Sequence, residues 1–137
     1  MTNPSEAEIN AITERIIGCC MDVHRELGPG LLESIYEECL GLAFQEAGLS
    51  FERQGAIPVV FRNHTLEQAF RFDFRVQGQV IVEVKAVESL HPVHKAQVIN
   101  YLRLTGNPVG LLVNFNVPLL KQGLHRVINP QRKASQS

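Results

Sequence analysis

The 137-residue chain has 45% hydrophobic and 20% charged side chains, a composition that supports a buried core and excludes a disordered protein. No apolar run approaches the roughly 18 residues of a membrane-spanning helix, and the polar, acidic start of the chain is unlike a signal peptide. Three cysteines without CxxC spacing are typical of reduced core residues in a cytoplasmic protein. Without a linker or repeat, the chain is expected to form a single domain over residues 1–137, with its core at about 6–128.

The net charge of −1 hides an uneven distribution of charge along the chain. Residues 1–68 carry a balance of −7, and residues 69–137 carry +6. A basic second half could present a surface to phosphates. Alternatively, two acidic helices simply pack on a mildly basic sheet, and the charges alone do not decide between these interpretations.

Two amphipathic helices are predicted at the start of the chain. The first begins at Ser5, which has capping-box spacing to Glu8, and ends at Gly28. The second runs from about residue 31 to residue 47 and ends at Gly48. Spacings of three and four predict the inward positions, which are Ile9, Ile12, Ile16, Cys20, Val23 and Leu27 in the first helix and Leu32, Ile35, Cys39, Leu42 and Ala43 in the second.

The apolar period then changes to two, which indicates strands. Residues 56–61 form an edge strand or a strand start, because they contain Pro58, and residues 69–76 and 79–87 form a hairpin around Gly78. A third helix begins at Pro92 and ends at Gly106, with its pattern set by Val93, Ala96, Ile99, Asn100 and Leu104. Residues 109–115 form a strand covered on both faces. The order α-α-β-β-β-α-β predicts an α/β fold, a mixed sheet flanked by helices.

The candidate chemistry lies on the second hairpin. Glu83 and Lys85 are two residues apart and share one face of their strand. A three-residue turn around Gly78 would place Asp73 directly opposite Glu83, with about 5 Å between their Cβ atoms. Two carboxylates that close repel each other unless a cation lies between them, and Mg²⁺ prefers such oxygen ligands. Lys85 would then orient the attacking water or offset charge on a scissile phosphate.

A plainer interpretation makes Glu83 and Lys85 a solvated charge pair, because an Asp followed ten residues later by Glu-x-Lys is a common pattern. The apolar neighbours Val82, Val84, Phe72 and Phe74 favour the metal site, since buried charges without partners are costly.

Two helices supply further candidates. Glu33 could face the sheet if Leu32 and Ile35 lie in the core, although a first-turn glutamate is also favoured by the helix dipole. In the third helix, Gln97 and Tyr101 share a face, and Gln97 could bind a phosphate or a water. The alternative for Gln97 is a partly buried amide bonded to backbone. None of the histidines has zinc spacing with another His or Cys, which makes a zinc site an unfavoured interpretation.

Several separate motifs resemble those of one family. His24, Leu27, Gly28, Gly30, Glu33 and Tyr36 match the signature of the GxxExxY proteins, a family of the PD-(D/E)XK nuclease-like superfamily. Phe72-Asp73, the VEVKAV segment 82–87, Gln97 with Tyr101-Leu102, and residues 110–115 continue the resemblance in order, from about residue 16 to residue 128. The proline that usually precedes the aspartate is replaced by Phe72.

This resemblance implies a restriction-endonuclease-like core and a set of site residues. Asp73, Glu83 and the backbone carbonyl of Val84 would bind Mg²⁺, or Mn²⁺ in its place, with Glu33 as a further candidate ligand. Lys85 would be the catalytic lysine, acting with Glu33, Asp73 and Glu83. Gln97 and Tyr101 would contact the substrate phosphate.

The expected function is a metal-dependent nuclease, with DNA preferred over RNA. The alternatives are a nucleic-acid-binding module without turnover and a protein-interaction component of a larger bacterial system. The near-neutral charge favours the interaction component, whereas the complete set of Asp73, Glu83 and Lys85 favours the enzyme. Cutting duplex DNA usually takes two sites, which suggests a homodimer.

Overall fold

Two helices of nearly the expected extent begin the fold in the computed structural model, which describes residues 3–131. Helix α1 spans Glu6–Leu27 and begins at Ser5, whose hydroxyl accepts a 3.1 Å hydrogen bond from the Glu8 N–H. Its predicted inward face is confirmed. Four of the predicted residues are buried, and two are half-buried against the core: Ile9, Ile16, Cys20 and Val23, then Ile12 and Leu27.

Helix α2 spans Glu33–Glu46, but part of its predicted inward face is wrong. Leu32, Ile35 and Leu42 are 71%, 39% and 55% exposed. The buried positions are Tyr36, Leu40, Gly41 and Phe44, while Cys39 and Ala43 pack at the margin of the core. Apolar residues occur all around this helix, so spacing alone cannot choose its buried face. The rings of Tyr36 and Phe44 decide which face is buried, because they bury the most apolar area.

Five strands form one mixed sheet with the order β1-β2-β3-β4-β5. They are β1 Phe51–Phe61, β2 His64–Val76, β3 Val80–Lys85, β4 Val109–Asn114 and β5 Leu124–Ile128. Strands β3 and β4 are parallel, and the other neighbours are antiparallel. The α/β class and the mixed sheet are therefore confirmed, and β1 lies at a sheet edge as Pro58 suggested. Strand β5 and the short 3-10 helix Leu120–Gly123 were not predicted from the sequence.

Helix α3 spans Pro92–Thr105 and connects the two parallel strands. It buries Val98, Tyr101 and Leu102, and Ile99 packs beside them. The predicted pattern differs from this face, because Ala96 and Asn100 are exposed, as are Val93 at 58% and Leu104 at 43%. The segment is apolar on two sides, so its period did not identify the side that faces the sheet.

The helices cover the two faces of the sheet separately. Helices α1 and α2 pack against Phe74, Val80, Val82 and Val84, whereas α3 packs against a second cluster that includes Phe72 and Ile81. Side chains of a strand alternate between these layers. Glu83 and Lys85 therefore emerge on the same side as Ile81, beneath α3. Within residues 3–131, no helix is long and apolar enough to cross a membrane.

Candidate metal-binding active site

The turn between β2 and β3 has three residues, Gln77, Gly78 and Gln79, because Val76 pairs with Val80. Gln77 and Gly78 have φ values of 54° and 66°, a conformation that glycine adopts without a steric penalty. This turn confirms the predicted register. Phe74 faces Val82, so one residue further along the hairpin Asp73 faces Glu83.

Backbone pairing ends at Phe74 and Val82, and two carboxylates continue the contact between the strands. The Asp73 N–H donates a 2.6 Å hydrogen bond to Oε2 of Glu83. The Val84 N–H donates a 2.8 Å hydrogen bond to Oδ2 of Asp73. Each acidic side chain thus accepts from the opposite strand, and both are fixed at the point where the strands separate.

Strand β2 also changes its facing at Asp73. Phe74 belongs to the cluster beneath α1 and α2, but Phe72, two residues earlier, belongs to the cluster beneath α3. The neighbouring strand is irregular at the same level, where Gln54 has a φ of 55°. Left-handed backbone at a residue other than glycine is strained, and such strain often occurs at functional sites.

Burial controls the electrostatics of the carboxylate pair. Glu83 is only 3% exposed, and burial followed by the negative charge of Asp73 raises its pKa from 4.5 to about 8. Burial is also the largest cause that raises the pKa of Asp73, from 3.8 to about 6. The backbone hydrogen bonds and the charge of Lys85 lower both pKa values but do not offset desolvation. The pair therefore binds a proton tightly when no cation is present.

Lys85 lies two residues beyond Glu83 and is half-buried. Its positive charge lowers the pKa of Asp73, of Glu83 and of His94 on α3, as expected of a cation on the same side of the sheet as Glu83. Among residues 3–131, however, no carboxylate lies within the 4.0 Å of an ion pair with Lys85. Its three N–H donors are thus available to a ligand.

On α2, the acid that hydrogen bonds connect to the site is Glu37, which lies one turn after the predicted Glu33. Gln54 donates from Nε2 to Glu37 at 2.7 Å and to Asp73 at 3.3 Å. Glu33 is exposed, and its charge raises the pKa values of Asp73 and His94. It makes no ion pair or hydrogen bond with the described residues, so its role as a ligand stays a prediction. Leu32 and Ile35 were expected in the core beside Glu33, but both are exposed and do not direct Glu33 toward the sheet.

Helix α3 presents His94, Gln97 and Tyr101 along one stripe, since they are three and four residues apart. Burial raises the pKa of Tyr101 to about 12, and the charges of Glu83 and Asp73 contribute to this shift. Tyr101 packs in the cluster beneath α3, on the side of the sheet where Glu83 emerges. Gln97 is half-buried and makes no side-chain hydrogen bond within the described part of the chain, so backbone groups do not satisfy its amide.

Much of the glycine-rich stretch before α2 has a structural role. The Tyr36 hydroxyl donates a 2.5 Å hydrogen bond to the Gly28 carbonyl and accepts one from the Leu31 N–H at 3.2 Å. Its ring stacks on Phe115 with 4.7 Å between centroids. Tyr36 thereby fixes the loop that leads to Glu33 and Glu37. Sequence reasoning missed Glu37, although its spacing of four from Glu33 was a usable signal; no pattern indicated Gln54.

The donor set fits a divalent cation. Two adjacent carboxyls with raised pKa values, one buried and one half-buried, would both ionise if a hard cation replaced their protons. Val84 directly follows Glu83, so its carbonyl remains a candidate third ligand. Among residues 3–131, no cluster of three or more His, Cys, Asp or Glu side chains could hold a metal ion. In the described arrangement, a cation on Asp73 and Glu83 would draw its other ligands from backbone, water or substrate, or from Glu33 if its exposed side chain turned toward the pair.

Comparison with known proteins agrees with this geometry. Residues 10–127 match the profile of the PD-(D/E)XK nuclease superfamily, which covers most of the chain. No curated protein and no solved structure matches the chain. Proteins of this superfamily are generally nucleases that act on nucleic acids, and they typically use divalent metals. With its mixed sheet and its matched residues, the chain belongs to the PD-(D/E)XK nuclease superfamily.

Proposed function

We propose that this protein is a divalent-metal-dependent nuclease that hydrolyses phosphodiester bonds, with DNA preferred over RNA. The observation that carries the proposal is the pair of buried Glu83 and half-buried Asp73, in which each carboxylate accepts a hydrogen bond from the opposite strand beside Lys85. A solvated cross-strand charge pair would not be buried in this way. Mg²⁺ is the proposed cofactor, and Mn²⁺ is its substitute.

Asp73 and Glu83 would hold the cation, with the Val84 carbonyl as a third ligand and Glu33 as a further candidate. When bound, a divalent cation stabilises negative charge on the phosphate oxygens and promotes attack by water. The protein contributes a rigid pair of acceptors, because both carboxylates are already oriented by backbone N–H groups. Orientation before binding reduces the entropy that is lost in the reactive complex.

Lys85 would offset the charge that develops on the phosphate or orient the attacking water. Its ammonium interacts electrostatically with both carboxylates but is bound by neither, which leaves its donors free. Gln97 and Tyr101 would contact a phosphate from the opposite wall. The half-buried amide of Gln97, without a partner in the described chain, supports this role.

A basic surface beneath and around α3 would bind the nucleic acid. Lys85 on β3 and His94 on α3 would lie at the site. Lys95 and Arg103 are exposed and lie on α3 with His94. Cleavage of both strands of a duplex would then require a homodimer. We also propose a cytoplasmic location, which the free cysteines Cys19, Cys20 and Cys39 support.

A metal-titrated cleavage assay tests the proposal. Purified protein is incubated with Mg²⁺ or Mn²⁺ and a panel of linear, branched and single-stranded DNA and RNA. We expect cleavage that requires the metal and is lost in Asp73→Ala. If the wild-type protein binds no divalent ion by calorimetry and cuts no substrate, the nuclease proposal fails. Retained nucleic-acid binding would then favour the module without turnover.

A further inference from the structure

Gln54, on the edge strand β1, lies directly beside Asp73 on β2. The register of the hairpin pairs Arg53 with Phe74 and Gly55 with Phe72, so Gln54 faces Asp73. These two residues are left out of the regular pairing, and Gln54 has a φ of 55°. Left-handed backbone is strained at a glutamine, so the surrounding contacts must hold it there.

Those contacts are two carboxylates on different elements. Nε2 of Gln54 donates to Oε2 of Glu37 at 2.7 Å and to Oδ1 of Asp73 at 3.3 Å. An amide nitrogen carries two hydrogens, so it can serve both acceptors at once. Because Oδ2 of Asp73 already accepts from the Val84 N–H, the bond from Gln54 holds the second oxygen of the same carboxylate.

Glu37 is in turn held on its helix. Arg53 donates from Nε to the same Glu37 oxygen at 2.9 Å, and only 12% of the Glu37 side chain is exposed. Glu38, the next residue, also pairs with Arg53 but has no contact with Gln54, and its side chain is 66% exposed. The two neighbouring glutamates thus differ in burial, in the effect of their charge on the site carboxyls and in the bond to Gln54, which Glu37 alone makes.

We infer that Gln54 is a positioning residue that orients the Asp73 carboxylate for metal binding, and that Glu37 acts on the site through Gln54. This inference rests on the proposed metal site. Groups that orient a metal ligand typically change metal affinity or activity about 10–100-fold when removed. The role of Gln54 is to fix a ligand, not to contact the metal or the substrate.

The first experiment uses the metal-free protein and follows hydrogen exchange of the Val84 amide, which is bonded to Asp73. Gln54→Ala should speed this exchange about tenfold, with little change at the Val80 amide on the same strand. Gln54→Asn provides a second variant, because asparagine tolerates left-handed backbone but is one methylene too short to bridge both carboxylates. Unchanged Val84 exchange in both variants overturns the inference, whether or not the protein binds metal.

The second experiment measures Mn²⁺ affinity by calorimetry in a double-mutant cycle. Gln54→Ala should weaken binding about tenfold or more, Glu37→Gln should weaken it more than the matched variant Glu38→Gln, and Gln45→Ala on the exposed side of α2 should leave it unchanged. The double variant Gln54→Ala/Glu37→Gln should bind no more weakly than Gln54→Ala alone. Additive losses show that Glu37 acts independently and overturn its proposed path through Gln54. If the wild-type protein binds no Mn²⁺, the proposed function fails and the metal-binding role of Gln54 fails with it.

Discussion

The backbone N–H of Asp73 donates a 2.6 Å hydrogen bond to the carboxylate of Glu83, which lies opposite it on the neighbouring strand. One candidate metal ligand therefore holds the other in place. Because both acids also serve as hydrogen-bond acceptors for backbone, substitutions at this pair affect stability and metal binding together. Stability without metal and metal affinity therefore have to be measured separately for each variant.

Lys85→Ala should reduce cleavage about 100-fold or more, because it removes a charge that stabilises the transition state without removing a metal ligand. Metal affinity should change little. Single-turnover cleavage and calorimetry on the same preparation measure both quantities. Lys121→Ala is the matched control and should keep most of the activity, because Lys121 is an exposed lysine of the 3-10 helix, on the other side of the sheet from α3. Full activity of Lys85→Ala would remove Lys85 from the mechanism.

Glu83→Gln should abolish metal binding and cleavage yet stabilise the metal-free protein at pH 8 by about 0.5–2 kcal/mol. The amide oxygen can still accept the hydrogen bond from Asp73, and a neutral group replaces a carboxyl whose ionised form is disfavoured by burial and by the charge of Asp73. Urea denaturation in the presence of a chelator measures the stability. Destabilisation at this pH would show that the ionised carboxylate contributes to folding without a metal.

The stability of the metal-free protein should depend on pH through this pair. The folded-state pKa values of Asp73 and Glu83, about 6 and about 8, lie above the ordinary values of 3.8 and 4.5. The stabilisation that these two carboxyls give the folded state is therefore full below about pH 4 and is lost as the pH rises through about 8.

Denaturation from pH 4 to pH 9 with and without Mn²⁺ tests this dependence. Added Mn²⁺ should reduce the loss of stability, because the cation replaces the proton. The difference between wild type and Glu83→Gln isolates Glu83, with its coupling to Asp73, from the other titrating groups. A difference that does not vary with pH contradicts the prediction.

Tyr36→Phe should destabilise the protein by about 1–3 kcal/mol, because the part-buried hydrogen bonds to the Leu31 N–H and the Gly28 carbonyl lose their shared partner. The ring can keep its stacking on Phe115. Equilibrium denaturation measures the loss, and Ser50→Ala serves as a control at an exposed hydroxyl that bonds Gln77. This control should stay within about 0.5 kcal/mol of wild type. Equal stability of Tyr36→Phe and wild type would exclude a structural role for the hydroxyl.

Gly55→Ala should destabilise the protein by about 1–3 kcal/mol, because a Cβ there would lie 2.1 Å from the Phe72 ring. The matched control is Gly18→Ala in α1, where a Cβ would meet nothing within 4 Å. Alanine in a helix interior should instead stabilise by about 0.5–1 kcal/mol. Thermal unfolding of both variants checks the opposite signs, and a tolerated Gly55→Ala would mean that the hairpin can shift at Gln54.

The sequence alone predicted the mixed sheet, the order of its elements up to β4 and the register of the second hairpin. These features depend on local signals. Alternation identifies strands, Gly78 permits the three-residue turn, and the turn length alone decides that Asp73 faces Glu83. The resemblance of the motifs also indicated the superfamily, which the matched residues 10–127 confirm.

Tertiary structure decided which face of each helix is buried and which polar groups meet. In α2 and α3, apolar residues occur on more than one side, so the choice of Tyr36 over Leu32, and of Val98 over Val93, depends on the aromatic and aliphatic surfaces that the sheet presents. The contact of Gln54 with Glu37 and Asp73 joins an edge strand, a helix and an inner strand. No local pattern encodes that contact, because its geometry follows from the packing of elements that are distant in the chain.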